Sequence, residues 1–297
     1  MGKKRHQADA LKKIERTVGI LKRIGKTYPH DLEEHPGADD LIEAHMTAAG
    51  RFVEPIANGV TAKGLREGVH ASLLFLDQLL DQMPATIAFA DIGTASVACH
   101  RGCHHCCHIR VTTKGPVVLA LAFYLRKKLS SEQIAQLVSR LRGHVSDGLA
   151  MTPLEQVLKG RVCPLNVDGV CIGYEYRPYA CRTHHSFDVS RCQAARQGDE
   201  ADVRVPQDPN RHALQALVSR PVNECTRLLG LNTDELEFIP ALLIALTDEG
   251  AAEKYIAGEP VFAPAHRPDV LEAQQGEIRR LGLIPIPQSI KPIQPGA

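Results

Sequence analysis

The chain has 297 residues, with 35 Lys plus Arg against 34 Asp plus Glu, so no global field points to nucleic acid or to a membrane surface. Apolar residues make up 44% and charged ones 23%, the balance of a globular protein long enough to bury a core unaided. Trp is absent and aromatics are 4%, which argues against a protein that reads nucleic acid by stacking bases.

The opening "MGKKRHQADALKKIERTVGILKRIGK" is basic but lacks the apolar run of a secretory leader. No stretch reaches the length of a membrane span. The expected compartment is therefore the cytoplasm, where thiols stay reduced. Residues 1–95 are expected to be helical. Leu11, Ile14, Val18 and Leu21 recur at helical spacing among Lys and Arg, the pattern of a surface helix. From Leu65 to Met83, Leu73, Leu76 and Leu80 form one apolar stripe. "KGP" at 114–116 marks a helix start with Pro116 in the first turn, leading into "VVLALAFYL". Ser130 with Gln133 forms a capping box, and Ile134, Leu137, Val138 and Leu141 line the face that follows.

Residues 143–162 carry Gly and Pro punctuation and lead into "CPLNVDGVCIGYEYRPYACRTHHSFDVSRC", which has no helical period. Asp168-Gly169 predicts a tight turn closing a small hairpin. Helices return from His212, with Asn232 and Glu235 expected to start the one in "ELEFIPALLIALTDEG". The proline-rich "IPIPQSIKPIQPGA" is expected to be extended or disordered. The predicted fold is mainly α, with helical flanks around an irregular cysteine-rich metal-binding core and at most a small hairpin. Its regions are an N-terminal helical part (1–95), the cysteine core (96–195), a C-terminal helical part packed on it (196–283) and a tail (284–297).

The nine cysteines form an odd count at tight spacing, which points to metal rather than to a disulfide framework. Cys99, Cys103, Cys106 and Cys107 fall within "CHRGCHHCCHIRV"; Cys163, Cys171, Cys181 and Cys192 follow at wider intervals. Cys225, in a helical context, reads as a small buried apolar residue. Thiolates are soft donors that select zinc, copper(I) or iron–sulfur clusters. One zinc or one common cluster takes about four thiolates, so eight exceed either need. Neighbouring side chains diverge on a helix and oppose one another on a strand, so Cys106 and Cys107 more naturally serve different metals or different corners of a cluster.

Cys99-x3-Cys103-x2-Cys106 also matches the cluster loop of radical S-adenosylmethionine enzymes, and Cys103-His-His-Cys106 a thioredoxin-like motif. Both belong to alternating α/β folds, a pattern this chain lacks. His100, His104, His105, His108, His184 and His185 are further donors. With eight thiolates at hand, each reads as a polar loop residue, His108 being the strongest exception.

The run "CHRGCHHCCHIRV", then "CPLNVDGVCIGYEYRPYACRTHHS" and "SRCQAAR", resembles the YkgJ-like CxxCxxCC cysteine-cluster family of zinc- or iron-chelating domains. The likeness covers about residues 96–195. It departs from the family pattern in "IGYEY" for "IYE" and in the three residues between Cys99 and Cys103. The resemblance implies metal ligation by Cys99, Cys103, Cys106, Cys107, Cys163, Cys171, Cys181 and Cys192, with Arg177, Pro178 and Arg182 in the RPxxCR segment. Independently of family, four thiolates on one zinc leave a net charge of about −2, which Arg177 and Arg182 are expected to offset.

Some members of that family are flagellin lysine methylases using S-adenosylmethionine; the shared cysteines alone do not carry that activity over. The expected function is zinc or iron chelation, an iron–sulfur (4Fe-4S) cluster included, with a metal ion as the partner. Neither a membrane nor nucleic acid is expected as a partner. The alternative is an iron–sulfur-dependent redox or S-adenosylmethionine-linked group-transfer enzyme. No residue pattern identifies a catalytic group or a protein partner.

Overall fold

The computed structural model describes residues 15, 17–25, 38–83, 86–89, 93–148, 151–197, 205–266 and 268. Residues 17–25 are helical. Then come α1 (Ala38–Val53), α2 (Ala62–Asp81), the strands β1 (Thr86–Phe89) and β2 (Gly93–Ser96), and a 3₁₀ turn His105–His108. β3 (Thr112–Thr113), α3 (Gly115–Lys128), α4 (Ser131–Gly148) and α5 (Pro153–Leu158) lead to the strands β4 (Asn166–Val167) and β5 (Val170–Cys171). A 3₁₀ turn Tyr174–Tyr176, α6 (Tyr179–Thr183) and α7 (Val189–Gln197) follow. α8 (Pro209–Leu228), β6 (Leu236–Glu237), α9 (Phe238–Thr247) and α10 (Ala251–Ile256) complete the order. The protein is mainly α, and its sheets are antiparallel pairs of two strands.

One apolar cluster joins helices from both ends of the chain. α2 lies at its centre, against α1, α3, α8 and α6, and α3 packs in turn on α9. Leu65, Leu73, Leu76 and Leu80 are buried on α2, as their spacing requires, and meet Phe52, Leu121, Leu125, Val218 and Leu242 within the same core. Helices α1 and α2 approach so closely that a Cβ on Gly68 would collide with the Phe52 carbonyl oxygen. No helix of the described residues is long and apolar enough to cross a membrane.

Local signals explain several boundaries. α3 starts at Gly115 with Pro116 in its first turn. Ahead of α4, the Ser130 N–H donates to Gln133 Oε1 at 2.9 Å and the Gln133 N–H to Ser130 Oγ at 3.2 Å, the reciprocal capping box expected. β4 and β5 close over Asp168 and Gly169, with φ of 51° and 79°, the left-handed pair that a two-residue hairpin turn demands. Cys225 is fully buried in the apolar core.

Other expectations are corrected. Residues 86–96, expected to be helical, pair as strands from Thr86↔Ser96 to Phe89↔Gly93. The helix expected to start at Asn232 and Glu235 begins instead at Phe238. Leu236 and Glu237 pair with Thr113 and Thr112, so their backbone is committed to a ladder, while Asn232 Oδ1 accepts the Asp234 N–H at 2.8 Å in a local turn. The irregular second cysteine region contains the short helices α6 and α7. Of the N-terminal stripe, Leu11 and Ile14 lie outside the described residues, as does the 284–297 tail. Val18 is exposed and Leu21 packs against the core, while Ile20 and Ile24, outside the expected stripe, are buried, so that helix packs through Ile20, Leu21 and Ile24.

Two measurements check this packing. Gly68→Ala is expected to lower stability by about 1–3 kcal/mol through overpacking against Phe52, whereas Gly143→Ala, exposed on α4 with nothing within 4 Å, should raise it by about 0.5–1 kcal/mol; equal denaturant midpoints for the two variants contradict the close α1–α2 approach. His45 on α1 is 5% exposed, and burial together with the Arg220 charge lowers its pKa from 6.5 to about 4. The unfolded chain therefore takes up a proton first, so His45's contribution is complete above pH 6.5 and is lost as pH falls towards 4. Urea midpoints followed from pH 7 to 4 should decline across that window, and a flat profile refutes it.

Candidate metal centre

The first cysteine loop leaves β2 and is tied to the second region by backbone. Ala98 N–H donates to the Ser186 carbonyl at 2.8 Å, and Cys163 N–H to the Cys107 carbonyl at 2.7 Å. Gly102, with φ of 94°, and a Cys103 N–H bond to the His100 carbonyl turn the loop back on itself. A 3₁₀ turn then presents His105-Cys-Cys-His108, braced by Cys107 N–H to the His104 carbonyl at 2.9 Å. The tip of the β4–β5 hairpin rests on this loop, since a Cβ on Gly169 would stand 3.2 Å from the Gly102 carbonyl oxygen.

The second region reaches the loop through three elements. The β4–β5 hairpin carries Cys171. α6 carries Cys181 and is clamped to the helical frame: Tyr179 Oη and Ser72 Oγ share a 2.6 Å hydrogen bond, and Thr183 Oγ1 donates to Gln215 Oε1 at 2.7 Å. α7 carries Cys192 and lies against the His105–His108 turn and α5.

The eight thiols fall into two adjoining sets. Cys107, Cys163, Cys171 and Cys181 lie within one another's electrostatic reach. Cys99, Cys103 and Cys192 form a second mutual group. Cys106 stands between them, donating its S–H to Cys107 and sensing both Cys181 and Cys99. The vicinal sulfurs thus face one another rather than diverging. All eight are free thiols; Cys99 is exposed and the others are partly buried. Among the described residues, no three His, Cys, Asp or Glu side chains are drawn together tightly enough to hold an ion as they stand.

Protonation follows the surroundings. Burial, reinforced by the Cys171 and Cys107 thiols, pushes Cys181 up to about 12. Burial likewise raises Cys163 and Cys171. Cys107 moves the other way: the Cys106 S–H lowers it most, and Asn166 Nδ2, 3.6 Å from its Sγ, and the Arg177 charge add to this. Cys99 receives the Ser186 backbone N–H at 3.3 Å, although burial raises its pKa overall. Asn166 and Ser186 are sulfur-facing donors that spacing gave no reason to single out.

The arginines divide. Arg177 stacks on Tyr174 with its guanidinium carbon 3.7 Å from the ring centre, and its charge lowers the pKa of Cys107, Cys171 and Cys181. Its Nε is buried without a hydrogen-bond partner, a spare donor beside three thiols, which fits a thiolate-rich site that accumulates negative charge. Arg182, expected to share that task, is instead bonded to Asp77, to the Glu175 carbonyl and, at 3.2 Å, to the Arg177 carbonyl. Its charge still lowers the Cys181 pKa, as expected, while its hydrogen bonds brace the fold.

The histidines stay apart from the sulfur sets or at their edge. His185 is neutral and spent: its Nδ1 donates to the Thr183 carbonyl at 2.7 Å and its Nε2 accepts the Asp208 N–H at 2.8 Å. His184 packs its ring near His212, 6.4 Å between centres. His104 Nδ1 lies 3.2 Å from the Gly102 carbonyl oxygen and His100 Nδ1 2.9 Å from that of Arg101. His108 is 4% exposed, with Nε2 3.3 Å from Arg196 Nη1 on α7. Compared with protein-family models, with curated proteins and with solved structures, the chain matches none, so the likeness to a cysteine-cluster family rests on its own cysteine pattern.

Proposed function

We propose that the protein binds zinc or iron through its clustered cysteines, with Cys107, Cys163, Cys171 and Cys181 as a four-thiolate set. The observation that carries this is that thiols from two stretches far apart in sequence lie within electrostatic reach of one another, on a segment with little else to hold it. From residue 96 to 110 no aliphatic side chain is buried and Ile109 is 39% exposed; the chain rejoins the apolar core at Val111. Hydrophobic packing does not fix that loop, whereas metal–sulfur bonds supply such fixation in segments of this kind.

An all-sulfur donor set suits zinc or an iron–sulfur cluster and disfavours hard cations. Bound metal supplies cross-links between the loop at 97–108 and the region at 163–192, and as an iron–sulfur cluster also an electron-transfer centre. Arg177 offsets the excess negative charge, and Asn166 orients the Cys107 sulfur. The resemblance of the cysteine pattern to zinc- or iron-chelating domains supports the same reading.

Elemental analysis with a visible spectrum on anaerobically purified protein tests it. Zinc gives a colourless protein and an iron–sulfur cluster a brown one. Cys181→Ser is expected to lose the metal of the four-thiolate set, and a preparation carrying neither zinc nor iron overturns the proposal. Arg177→Ala should weaken metal retention against a competing chelator by about 10–100-fold. Arg182→Ala should lower the melting temperature instead, since it strands Asp77 and the Glu175 carbonyl. If the two variants behave alike in metal competition, the assigned division of labour is wrong.

A further inference from the structure

We propose that the cleft where α2, α3, α9 and α10 meet binds a free α-amino acid with a branched aliphatic side chain. No cysteine lines this cleft, so the inference stands apart from the metal-binding reading.

The cleft exists because the helices meet there through small side chains. Ala62 on α2, Ala120 on α3, Ala245 on α9 and Ala252 on α10 line it, with Leu65 and Leu119 adding larger apolar surface. The space they leave is about 150 Å³. Protein interiors are close-packed and hold few voids larger than a water molecule, so a space of this size stands out. An apolar cavity of about that volume accepts a body as large as benzene, and the isobutyl group of leucine is smaller. Ala120 and Ala245 are each 1% exposed, so this wall belongs to the packed frame.

The same cleft carries charge of both signs. The Arg66 guanidinium carbon lies 4.0 Å from the centre of the Phe123 ring, and that ring is itself 44% exposed. Arg66 meets its neighbour Glu67 at 3.4 Å on the surface, and Arg126 reaches the Asp248 carbonyl at 3.5 Å. A guanidinium has five N–H donors, so these long contacts leave both arginines able to fork a carboxylate. The Asp248 side chain is occupied by the Gly250 N–H at 3.0 Å and Lys254 Nζ at 2.7 Å. Glu249 and Glu253, from the α9–α10 corner and α10, line the cleft as well. Two guanidiniums and two carboxylates cancel, so the lining suits a ligand with both charges. A plain carboxylate would face the glutamates without a counter-charge, and a plain amine would face the arginines. An α-amino acid joins a carboxylate and an ammonium at one carbon to a compact apolar group, which matches rim and hollow together.

Titration of the full-length chain with L-leucine, followed by calorimetry and saturation-transfer NMR, tests this. Saturable binding is expected. Arg126→Gln and Glu253→Gln should each weaken it about tenfold or more, the loss of one charge-assisted contact. Ala252→Leu, which fills the hollow, should abolish binding without lowering the melting temperature, and Ala62→Leu serves if Ala252→Leu does not fold. The two halves of the ligand are tested with 4-methylpentanoate, which lacks the ammonium, and 3-methylbutylamine, which lacks the carboxylate. Both should bind at least about tenfold more weakly than leucine. Equal affinity for either overturns the zwitterion assignment. No saturable binding of leucine at millimolar concentration, or binding that survives both filling variants, overturns the site.

Discussion

Arg182 carries a charge into the interior at 6% exposure, and its partners decide where the second cysteine region sits. Asp77 on α2 supplies the counter-charge, and the carbonyls of Glu175 and Arg177 each take a further N–H donor. A buried guanidinium left unpaired costs several kcal/mol, on the order of 3–5, so α6 is bound to this orientation. The Tyr179–Ser72 hydrogen bond fixes the same helix one residue turn earlier, deep in the frame. With α6 fixed, Cys181 has a defined place at the border between the apolar bundle and the cysteine loop. The loop is then arranged around it.

That arrangement is achieved almost entirely with polar groups. Backbone bonds at Ala98 and Cys163 align the two regions, and a left-handed turn at Asp168-Gly169 brings the hairpin tip onto Gly102. Sulfur pKa values then separate by environment: Cys107, with donors and a cation around it, favours the thiolate, while Cys181, desolvated, resists it. Metal ligation needs thiolates, so any ion taken up by the set would have to displace protons from the desolvated thiols.

The sequence displays the helical frame and the hairpin because each rests on short-range chemistry. Leu73, Leu76 and Leu80 mark a face by spacing alone, Ser130 and Gln133 cap one another within a single turn, and Asp168-Gly169 tolerates the backbone angles its turn requires. The ligand candidates stand out because few other roles call for so many cysteines. What was not legible depends on partners distant in the chain. Phe238 starts a helix late because Leu236 and Glu237 pair with Thr113 and Thr112, over a hundred residues away. Arg177 and Arg182 look alike in the sequence and both act on the Cys181 thiol, and only the proximity of Asp77 makes Arg182 a brace of the fold as well. Ser186 and Asn166 became sulfur donors through the folding of the loops rather than through any local pattern.

Gly173 links these two worlds physically. Its N–H donates to the Cys171 sulfur, and a Cβ at that position would stand 2.8 Å from the Leu121 side chain, in the heart of α3. The cysteine-bearing hairpin and the oily interior therefore share a single wall without a cushion between them. A bulkier or displaced side chain at Leu121 presses on Gly173, so the chain cannot drift in its core packing without disturbing the surroundings of the Cys171 sulfur.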